Sequence, residues 1–290
     1  MPFNQYGFEQ VEYSGHYDQF AVPFLIEGNA ENNLYFTHEA QQNHIYSVNN
    51  AVLELLTDAL GLLSTVAFAK KAEDIFRYGV MRRLRMLNAS FKSFQNAIPP
   101  NRTTPLSQEH SDRVCRDLNA IYIDILGMLD NYAWTMVFQA GSAQTRAARP
   151  LAINLFKPPF ASDRALQPAA DILQGFKAWE EDVKTRRNPA AHRMPLYVPP
   201  AALTPSDVAE YECLERLISG ALHAQDFEKM KGLRKTQRRI GSLIPKFLHV
   251  PEGPVTDIYP VIPEDIGQVV KIGRIVQTFL RTHGPLLAPL

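Results

Sequence analysis

The sequence predicts an all-α protein in which an irregular N-terminal arm, residues 1–44, precedes one helical domain, residues 45–290. Two observations predict this class. Apolar residues recur at spacings of three and four through several long segments, which places them on one face of a helix. Proline-rich stretches separate these segments, while no internal repeat or low-complexity linker divides the chain. The helices are therefore expected to form one continuous bundle.

The N-terminal arm is rich in Asn, Gln, Tyr and Phe, and residues 20–26 have the composition of a short strand. We expect the arm to pack on the body through its aromatic side chains. Two helical patterns follow between residues 44 and 96. Their apolar stripes are Val52, Leu55, Leu56, Ala59, Leu62, Leu63 and Val66, then Ile75, Phe76, Val80, Leu84 and Leu87.

The next helix has the most regular pattern in the chain and is expected at the centre of the bundle. Pro99 and Pro100 should end the helix before it, because proline cannot continue a helix. Thr104 and Pro105 can open the new one, which we predict over residues 105–139. Its apolar stripe is Val114, Leu118, Ile121, Ile125, Leu129, Tyr132 and Met136.

Residues 141–166 are predicted as a long connection that contains a short helix at 145–155. Long ordered connections often have a function, so this one could form a wall of the functional site. The remaining segments are a helix over 168–187, an extended run over 195–200, a helical pair over 205–245, a proline-rich loop, and a last helix over 264–282.

The composition is typical of a cytoplasmic protein. Thirty Lys and Arg residues balance thirty Asp and Glu residues, which argues against broad affinity for nucleic acid but not against an enzyme that holds a few phosphates. The first 20 residues lack an apolar signal segment. The most apolar stretch, residues 51–69, contains Glu54 and Asp58, so we expect a buried helix rather than a membrane span. The two cysteines lack zinc spacing, and we expect no metal and no cofactor.

The residues with the clearest chemical potential lie in the run Arg-Arg-Asn-Pro-Ala-Ala-His-Arg, residues 186–193. Pro189 should push Asn188 out of helical geometry, so the preceding helix is expected to end near Arg187. Arg187 and His192 would then flank a break in the backbone that can present both toward a cleft. Arginine holds phosphate in a planar fork of donors, and histidine can move protons near neutrality. Together they can break a phosphodiester without a metal.

A structural interpretation of the same residues stays open. Asn188 can cap a turn, Arg187 can neutralise a helix C-terminus, and His192 can be a satisfied interior histidine. A second arginine and histidine at a similar spacing, Arg216 and His223, lack the intervening asparagine and lie on what is predicted to be an ordinary amphipathic helix.

The run over residues 186–193, at a helix end in an otherwise helical chain, resembles the signature of the HEPN superfamily: an arginine, a polar residue that is often asparagine, and a histidine a few residues later. Residues 195–200, Pro-Leu-Tyr-Val-Pro-Pro, are similar to the segment directly after this motif in a bacterial branch of that superfamily. The close likeness covers only about residues 186–200. It implies a HEPN-like helical bundle with extra helices that pairs as a homodimer.

The resemblance also implies two functions. One is a metal-independent endoribonuclease of a defence or toxin–antitoxin system, with a cognate inhibitor protein as a partner. There, His192 would take the proton of the RNA 2′-hydroxyl, Arg187 would stabilise charge on the phosphoryl oxygens, and Asn188 would fix the geometry. Arg186 and Arg193 would bind phosphate only. The alternative is a non-catalytic dimeric module that binds a nucleotide, RNA or a partner protein.

Two further sets of residues are candidates for supporting roles. Asp130 and Asn131 lie on the predicted central helix and could orient His192 or Arg187, although a solvated helix face explains them more simply. Four cations fall on one stripe of a later helix and could follow an RNA backbone, although such a run is usually a solvated face. These cations are Lys231, Arg234, Lys235 and Arg238.

Overall fold

The computed structural model describes the backbone of residues 30–284 and the side chains of residues 41–284, and it confirms the all-α prediction. The α-helices are α1 (Ala30–Thr65), α2 (Lys70–Ile75), α3 (Arg82–Ala97), α4 (Gln108–Ala140), α5 (Ala143–Arg146), α6 (Pro158–Ala161), α7 (Gln167–Leu173), α8 (Lys177–His192), α9 (Pro205–His223), α10 (Phe227–Gln237) and α11 (Val261–His283). A π-helical segment, Phe76–Met81, joins α2 to α3, and short 3-10 turns lie at Pro150–Ala152 and Gln174–Phe176. An antiparallel ladder pairs β1 (Lys246–Phe247) with β2 (Thr256–Asp257). None of the helices within residues 30–284 has both the length and the apolar character that crossing a bilayer requires.

Helix α4 lies at the centre of the bundle, where it packs against α2, α3, α8 and α11. It begins after Ser107, whose hydroxyl accepts a hydrogen bond from the His110 N–H at 3.3 Å and satisfies one of the free amides of the first turn. Every residue of its predicted apolar stripe is buried, as are most residues of the two earlier stripes. Each fully buried Leu, Ile or Val contributes about 1.5–3 kcal/mol relative to an exposed position. The regular apolar spacing therefore predicted the core helix correctly.

Helix α1 begins at Ala30, so the prediction of an irregular arm is wrong for residues 30–44. Ile45, Val48 and Val52 anchor the helix in the core. Extending an existing helix costs far less than starting a new one, so the polar residues before Ile45 join it. The strand predicted at residues 20–26 lies outside the described residues.

Helix α11 closes the bundle against α1 and α4. Pro263 is tolerated in its first turn, because first-turn amides have no acceptor within the helix. Helix α11 lies close to α1 and α4 at Gly273, where an added Cβ atom would be 2.6 Å from Tyr132 Oη and 2.7 Å from Leu55 Cδ2. The absence of a side chain at Gly273 therefore allows three helices to meet.

The connection after α4 contains α5, a 3-10 turn and α6 instead of the single helix expected at 145–155. Asp163 forms hydrogen bonds with residues near both ends of this connection. The carboxylate accepts hydrogen bonds from the Ser142 N–H at 2.8 Å and the Ala165 N–H at 3.0 Å. Burial acts to raise the pKa of the Asp163 carboxyl, but hydrogen bonds from Thr145, Ser142 and Ala165 lower it overall.

The helix predicted over residues 168–187 is divided into α7 and α8 by the 3-10 turn Gln174–Phe176. Gly175 lies at this turn, and glycine is the least favourable residue after proline for a helix interior. Ile172, Phe176, Trp179 and Val183 follow spacings of three and four that would place them on one helical face, yet Ile172 is 59% exposed and Val183 is buried. The interruption changes the helical phase, so a stripe that crosses it does not stay on one face.

Helices α9 and α10 form a hairpin that packs mainly on itself. It confirms the predicted helical pair, although α10 ends earlier than expected. In a capping box at the start of α9, Asp207 N–H donates to the Thr204 hydroxyl and Thr204 N–H donates to the Asp207 carboxylate. The hairpin joins the body at a neck, where Ala202 and Ser242 exchange backbone hydrogen bonds of 2.7 and 3.0 Å.

Candidate functional site

Helix α8 continues through Pro189 to His192, so the prediction that it ends near Arg187 is wrong. Pro189 lacks one helical N–H donor, but the Arg193 N–H donates to the Pro189 carbonyl at 2.8 Å and completes the last turn. Ala190, within that turn, packs against the hydrophobic core. These contacts outweigh the local preference of the residue before proline for extended geometry.

The continuous helix fixes the directions of the three motif side chains. Arg187 and His192 are five residues apart, so they project roughly 140° apart around the helix axis. Asn188 and His192 are four residues apart and share an exposed face. Arg187 is half-buried and donates from Nη1 to Asn188 Oδ1 at 3.3 Å. The structure therefore joins Arg187 to Asn188 and leaves His192 accessible one turn further on.

Arg186 points into the protein and has a structural role in place of the expected phosphate binding. Its Nη2 lies 2.6 Å from Asp182 and 3.2 Å from Asp265. The buried Asp265 carboxylate also accepts hydrogen bonds from Tyr122 Oη at 2.9 Å and from Trp179 Nε1 at 2.8 Å. Burial raises the pKa of the Asp265 carboxyl, and the charge of Arg186 opposes that rise. Arg186 Nη2 is thus committed to two carboxylates, of which Asp265 is buried, while the buried Arg186 Nε has no partner among the described residues.

A polar cluster lies beside Arg187, where α8 and α4 meet the connection that follows α4. Asn154 is at its centre: its Nδ2 lies 3.5 Å from Asp130 Oδ1 and 3.4 Å from Glu180 Oε1. Lys184 Nζ contacts Glu180 Oε2 at 2.7 Å. Asn154 thus brings the connection that follows α4 into contact with α8, close to the motif.

Both carboxyl groups of the cluster have a raised pKa. Burial of the Asp130 carboxyl raises its pKa, although part of the residue is exposed. The hydrogen bond from Asn154 and the charge of Arg187 oppose this rise. Burial likewise raises the pKa of Glu180, and Lys184 opposes the rise. The buried Arg187 Nε has no hydrogen-bond partner among the described residues. A buried donor without an acceptor is costly, so the hydrogen-bonding capacity of the Arg187 guanidinium is incompletely satisfied in this arrangement.

Asn131, predicted as a second support for the motif, lies in a different contact. A Cβ atom on Gly79 of the π-helical segment would be 2.6 Å from Asn131 Nδ2, so the amide packs directly on that glycine. The Asn131 carbonyl accepts a hydrogen bond from the Thr135 hydroxyl at 2.8 Å. Among the described hydrogen bonds, none joins the Asn131 side chain to Arg187 or His192.

Three residues of the cluster, Asn154, Glu180 and Lys184, escaped the sequence prediction. Glu180 precedes Arg187 by seven residues on the same helix, a spacing of about two turns that places both on one side. That spacing could have indicated Glu180. Asn154 has no comparable signal, because it lies in a connection whose path is set by tertiary contacts.

The run after α8 is extended, as predicted, and it leads from the motif to the neck. Arg193 is exposed at its start, where it is accessible for the predicted phosphate contact. Tyr197 then pairs with Leu248, and Ala202 pairs with Ser242 at the neck. From Pro195 to Ala202 an extended chain spans roughly 23 Å at about 3.3 Å per residue.

The cationic stripe of α10, namely Lys231, Arg234, Lys235 and Arg238, is exposed as its spacing predicts. These side chains line one groove on the hairpin (the outer groove), and two of them, Arg234 and Arg238, also line a cavity at the neck. Lys231 forms an ion pair with Glu228 at 2.9 Å. Arg238 follows α10 directly and lies at the neck, the end of the extended run that is far from His192. The end of the cationic stripe at Arg238 is therefore distant from the motif at the end of α8.

The fold and the site define a helical bundle with an Arg-Asn-His helix end and a cationic helical hairpin. Comparisons with protein-family models, with curated proteins and with solved structures find no match to this chain.

Proposed function

We propose that the protein is a metal-independent endoribonuclease whose chemistry is carried by Arg187, Asn188 and His192. One observation carries the proposal. At the end of α8, Asn188 and His192 share an exposed face, and Arg187, bonded to Asn188, keeps a donor without a partner among the described side chains. A cation, an amide and an imidazole thus lie within six residues at one helix end.

In the proposed reaction, His192 takes the proton of a ribose 2′-hydroxyl, and the 2′-oxygen forms a bond to the adjacent phosphorus. The bond from phosphorus to the 5′-oxygen breaks, which leaves a 2′,3′-cyclic phosphate on one product and a 5′-hydroxyl on the other. Arg187 stabilises the negative charge that builds on the phosphoryl oxygens, the kind of preorganised interaction that dominates such steps. DNA lacks the 2′-hydroxyl and should not be cleaved.

The leaving 5′-oxygen needs a proton from a second group. His192 and Arg187 diverge by roughly 140°, so one copy cannot surround the phosphodiester with both side chains and a second acid. We propose that His192 of a second copy supplies this proton in a homodimer, which its exposure permits. An enzyme of this kind would suit a defence or toxin–antitoxin system, in which a cognate inhibitor protein covers the exposed end of α8.

The test is cleavage of total bacterial RNA in EDTA by the wild type, His192→Ala and the matched control His223→Ala. His223 is likewise an exposed histidine at the last position of a helix, and Arg216 lies seven residues before it on that helix. Cyclic phosphate ends that disappear in His192→Ala and persist in His223→Ala support the proposal. Equal cleavage by all three proteins would indicate a contaminating nuclease and contradict it.

The second candidate is a non-catalytic RNA-binding module, which the exposed stripe of α10 and its separation from the motif favour. In that case RNA affinity would depend on Lys231 and Lys235, would fall steeply with salt, and would be unchanged in His192→Ala. Filter binding of uncleaved RNA at several salt concentrations distinguishes the two functions.

A further inference from the structure

A cavity of about 520 Å³ lies at the neck, between the α9–α10 hairpin and the body. Small-molecule sites usually occupy roughly 300–1,000 Å³, so this cavity has the size of a ligand site. Its hairpin side is formed by Tyr211, Glu215, Arg234 and Arg238, among other residues. Its body side is formed by the segment before α4 and by the end of the extended run after α8.

The backbone holds the body side of the cavity in place. Leu106 N–H donates to the Pro200 carbonyl at 2.9 Å, and Leu243 N–H donates to the Thr103 carbonyl at 2.8 Å. With the pairing of Ala202 and Ser242, these bonds tie three segments together under the hairpin. The cavity is therefore part of the fold rather than a gap between loose loops.

The two arginines are the charged groups with unused donors. Arg234 and Arg238 are four residues apart, so they lie on the same side of the chain as it leaves α10. Neither makes an ion pair or a side-chain hydrogen bond within residues 41–284. Two guanidinium groups on one wall form a strong site for a phosphate, which accepts their forked hydrogen bonds.

Much of the remaining lining is apolar. Pro105, Leu106 and Pro200 line the body side beside the polar Gln108, while Leu203 and the aromatic Tyr211 belong to the hairpin side. Proline and tyrosine offer flat surfaces to a planar group at little cost in conformational entropy. Such a wall would favour the body of a ligand whose charged end reaches the arginines.

The acidic residue in the wall does not cancel the two cations. Glu215 accepts a hydrogen bond from Gln237 Nε2 at 2.6 Å, and this amide also lies 3.5 Å from the Tyr211 carbonyl. Glu215 is thus engaged by a buried neutral donor. Two positive charges against one negative charge leave the cavity net positive.

We propose that this cavity binds a small phosphate monoester with a planar apolar body, the chemical class of nucleoside monophosphates. Arg234 and Arg238 hold the phosphate, while Tyr211 and the proline wall hold the planar body. The site is separate from the Arg-Asn-His helix end and does not depend on the proposed cleavage reaction. Because hairpin and body each supply one wall, an occupied cavity would hold the hairpin against the body.

Titration calorimetry of the full chain with AMP tests the proposal, with inorganic phosphate and adenosine as the two halves of the ligand. We expect AMP to bind more tightly than either half. The double variant Arg234→Gln/Arg238→Gln should bind AMP at least about tenfold more weakly. The matched control is Lys231→Gln/Lys235→Gln, which removes the same charge from the same helix at positions that line the outer groove but not the cavity.

An equal loss in both double variants would overturn the proposal, because it would reduce the effect to general electrostatic attraction. Absence of AMP binding to the folded wild type would also overturn it. A hexanucleotide with and without a 5′-phosphate distinguishes the source of the ligand. If the hexanucleotide binds more tightly than AMP, and this binding requires both the 5′-phosphate and the two arginines, the ligand is an RNA end. If the hexanucleotide binds more weakly than AMP, the ligand is a free mononucleotide. His192→Ala should bind AMP like the wild type whether or not the protein cleaves RNA.

Discussion

Arg186 Nη2 lies 3.2 Å from the carboxylate of Asp265, in the interior of the bundle and 79 residues away along the chain. The next residue, Arg187, is half-buried and donates from Nη1 to Asn188 Oδ1. Two neighbouring arginines of one motif therefore lie in different environments: Arg186 pairs α8 with α11 through Asp265, and Arg187 contacts Asn188 on its own helix. Substitutions at the two positions should therefore change different properties of the protein.

Replacing Arg186 with Gln should destabilise the fold without removing a ligand contact. The change leaves the buried Asp265 carboxylate without its cation, and breaking a buried pair in this way costs about 3–5 kcal/mol. Urea unfolding measures the loss. Arg193→Gln is the matched control, because Arg193 is exposed and its loss should change stability by less than about 0.5 kcal/mol. Similar stabilities for the two variants would contradict the structural role of Arg186.

The cost of Arg186→Gln should also depend on pH. Burial already raises the pKa of Asp265 in the folded state, and loss of Arg186 should raise it further. The folded variant then binds a proton more readily than the unfolded chain, so its stability falls as pH rises from the unfolded pKa to the folded one. The difference from wild type should be smaller at pH 5 than at pH 8.

Asp163 should show the opposite dependence. Its folded pKa is lowered, so its contribution to stability is present above the unfolded pKa and is lost as pH falls through the folded pKa. Asp163→Asn should reduce stability by about 1–2 kcal/mol at pH 7 through loss of charge-assisted hydrogen bonds to Ser142 and Ala165. Unfolding curves at pH 7 and pH 3 should show this difference shrink. A constant difference would exclude the charge as its cause.

Two glycine substitutions should have effects of opposite sign. A Cβ at Gly273 would lie within 2.7 Å of Tyr132 and Leu55, so Gly273→Ala should cost about 1–3 kcal/mol by pushing α11 away from its neighbours. Gly232 lies within α10 with no atom within 4 Å of an added Cβ, so Gly232→Ala should stabilise the protein by about 0.5–1 kcal/mol. Thermal unfolding of the wild type and the two variants measures both changes in stability: a lower midpoint is expected for Gly273→Ala and a higher one for Gly232→Ala.

Pro189→Ala tests the path of α8. Since the helix continues beyond Pro189, alanine would supply the missing N–H to the Thr185 carbonyl and relieve the clash of the proline ring. Part of this gain is offset because the unfolded chain becomes more flexible. We expect a net stabilisation of about 1–2 kcal/mol in urea unfolding. If the helix ended at Arg187, as the sequence alone suggests, the substitution would instead be neutral or destabilising.

The sequence predicted those features that depend on short-range spacing. The stripe of α4, the stop at Pro99 and Pro100 and the exposed cations of α10 follow from periodicity and from the covalent limits of proline. The course of α8 through Pro189 does not, because it depends on packing of Ala190 and on a hydrogen bond to Arg193 that close the last turn.

The different roles of Arg186 and Arg187 also required the structure. Both have the same side chain, and periodicity alone does not say which of two adjacent residues faces a partner from a distant part of the chain. Asp265 of α11 pairs with Arg186, whereas the charge of Arg187 acts on Asp130 of α4, which Asn154 of the following connection contacts. Glu180 alone was within reach of a sequence argument, through its seven-residue spacing from Arg187.

The neck gives the hairpin a modular character. The chain enters the hairpin next to Ala202 and leaves it next to Ser242, and these two residues are directly paired. A short turn between them could replace residues 203–241 while the helices of the bundle keep their own contacts. The hairpin is thus an insertion in the architectural sense, and its cationic surface can diverge, be exchanged or be lost while α8 keeps the framework that positions Arg187 and His192.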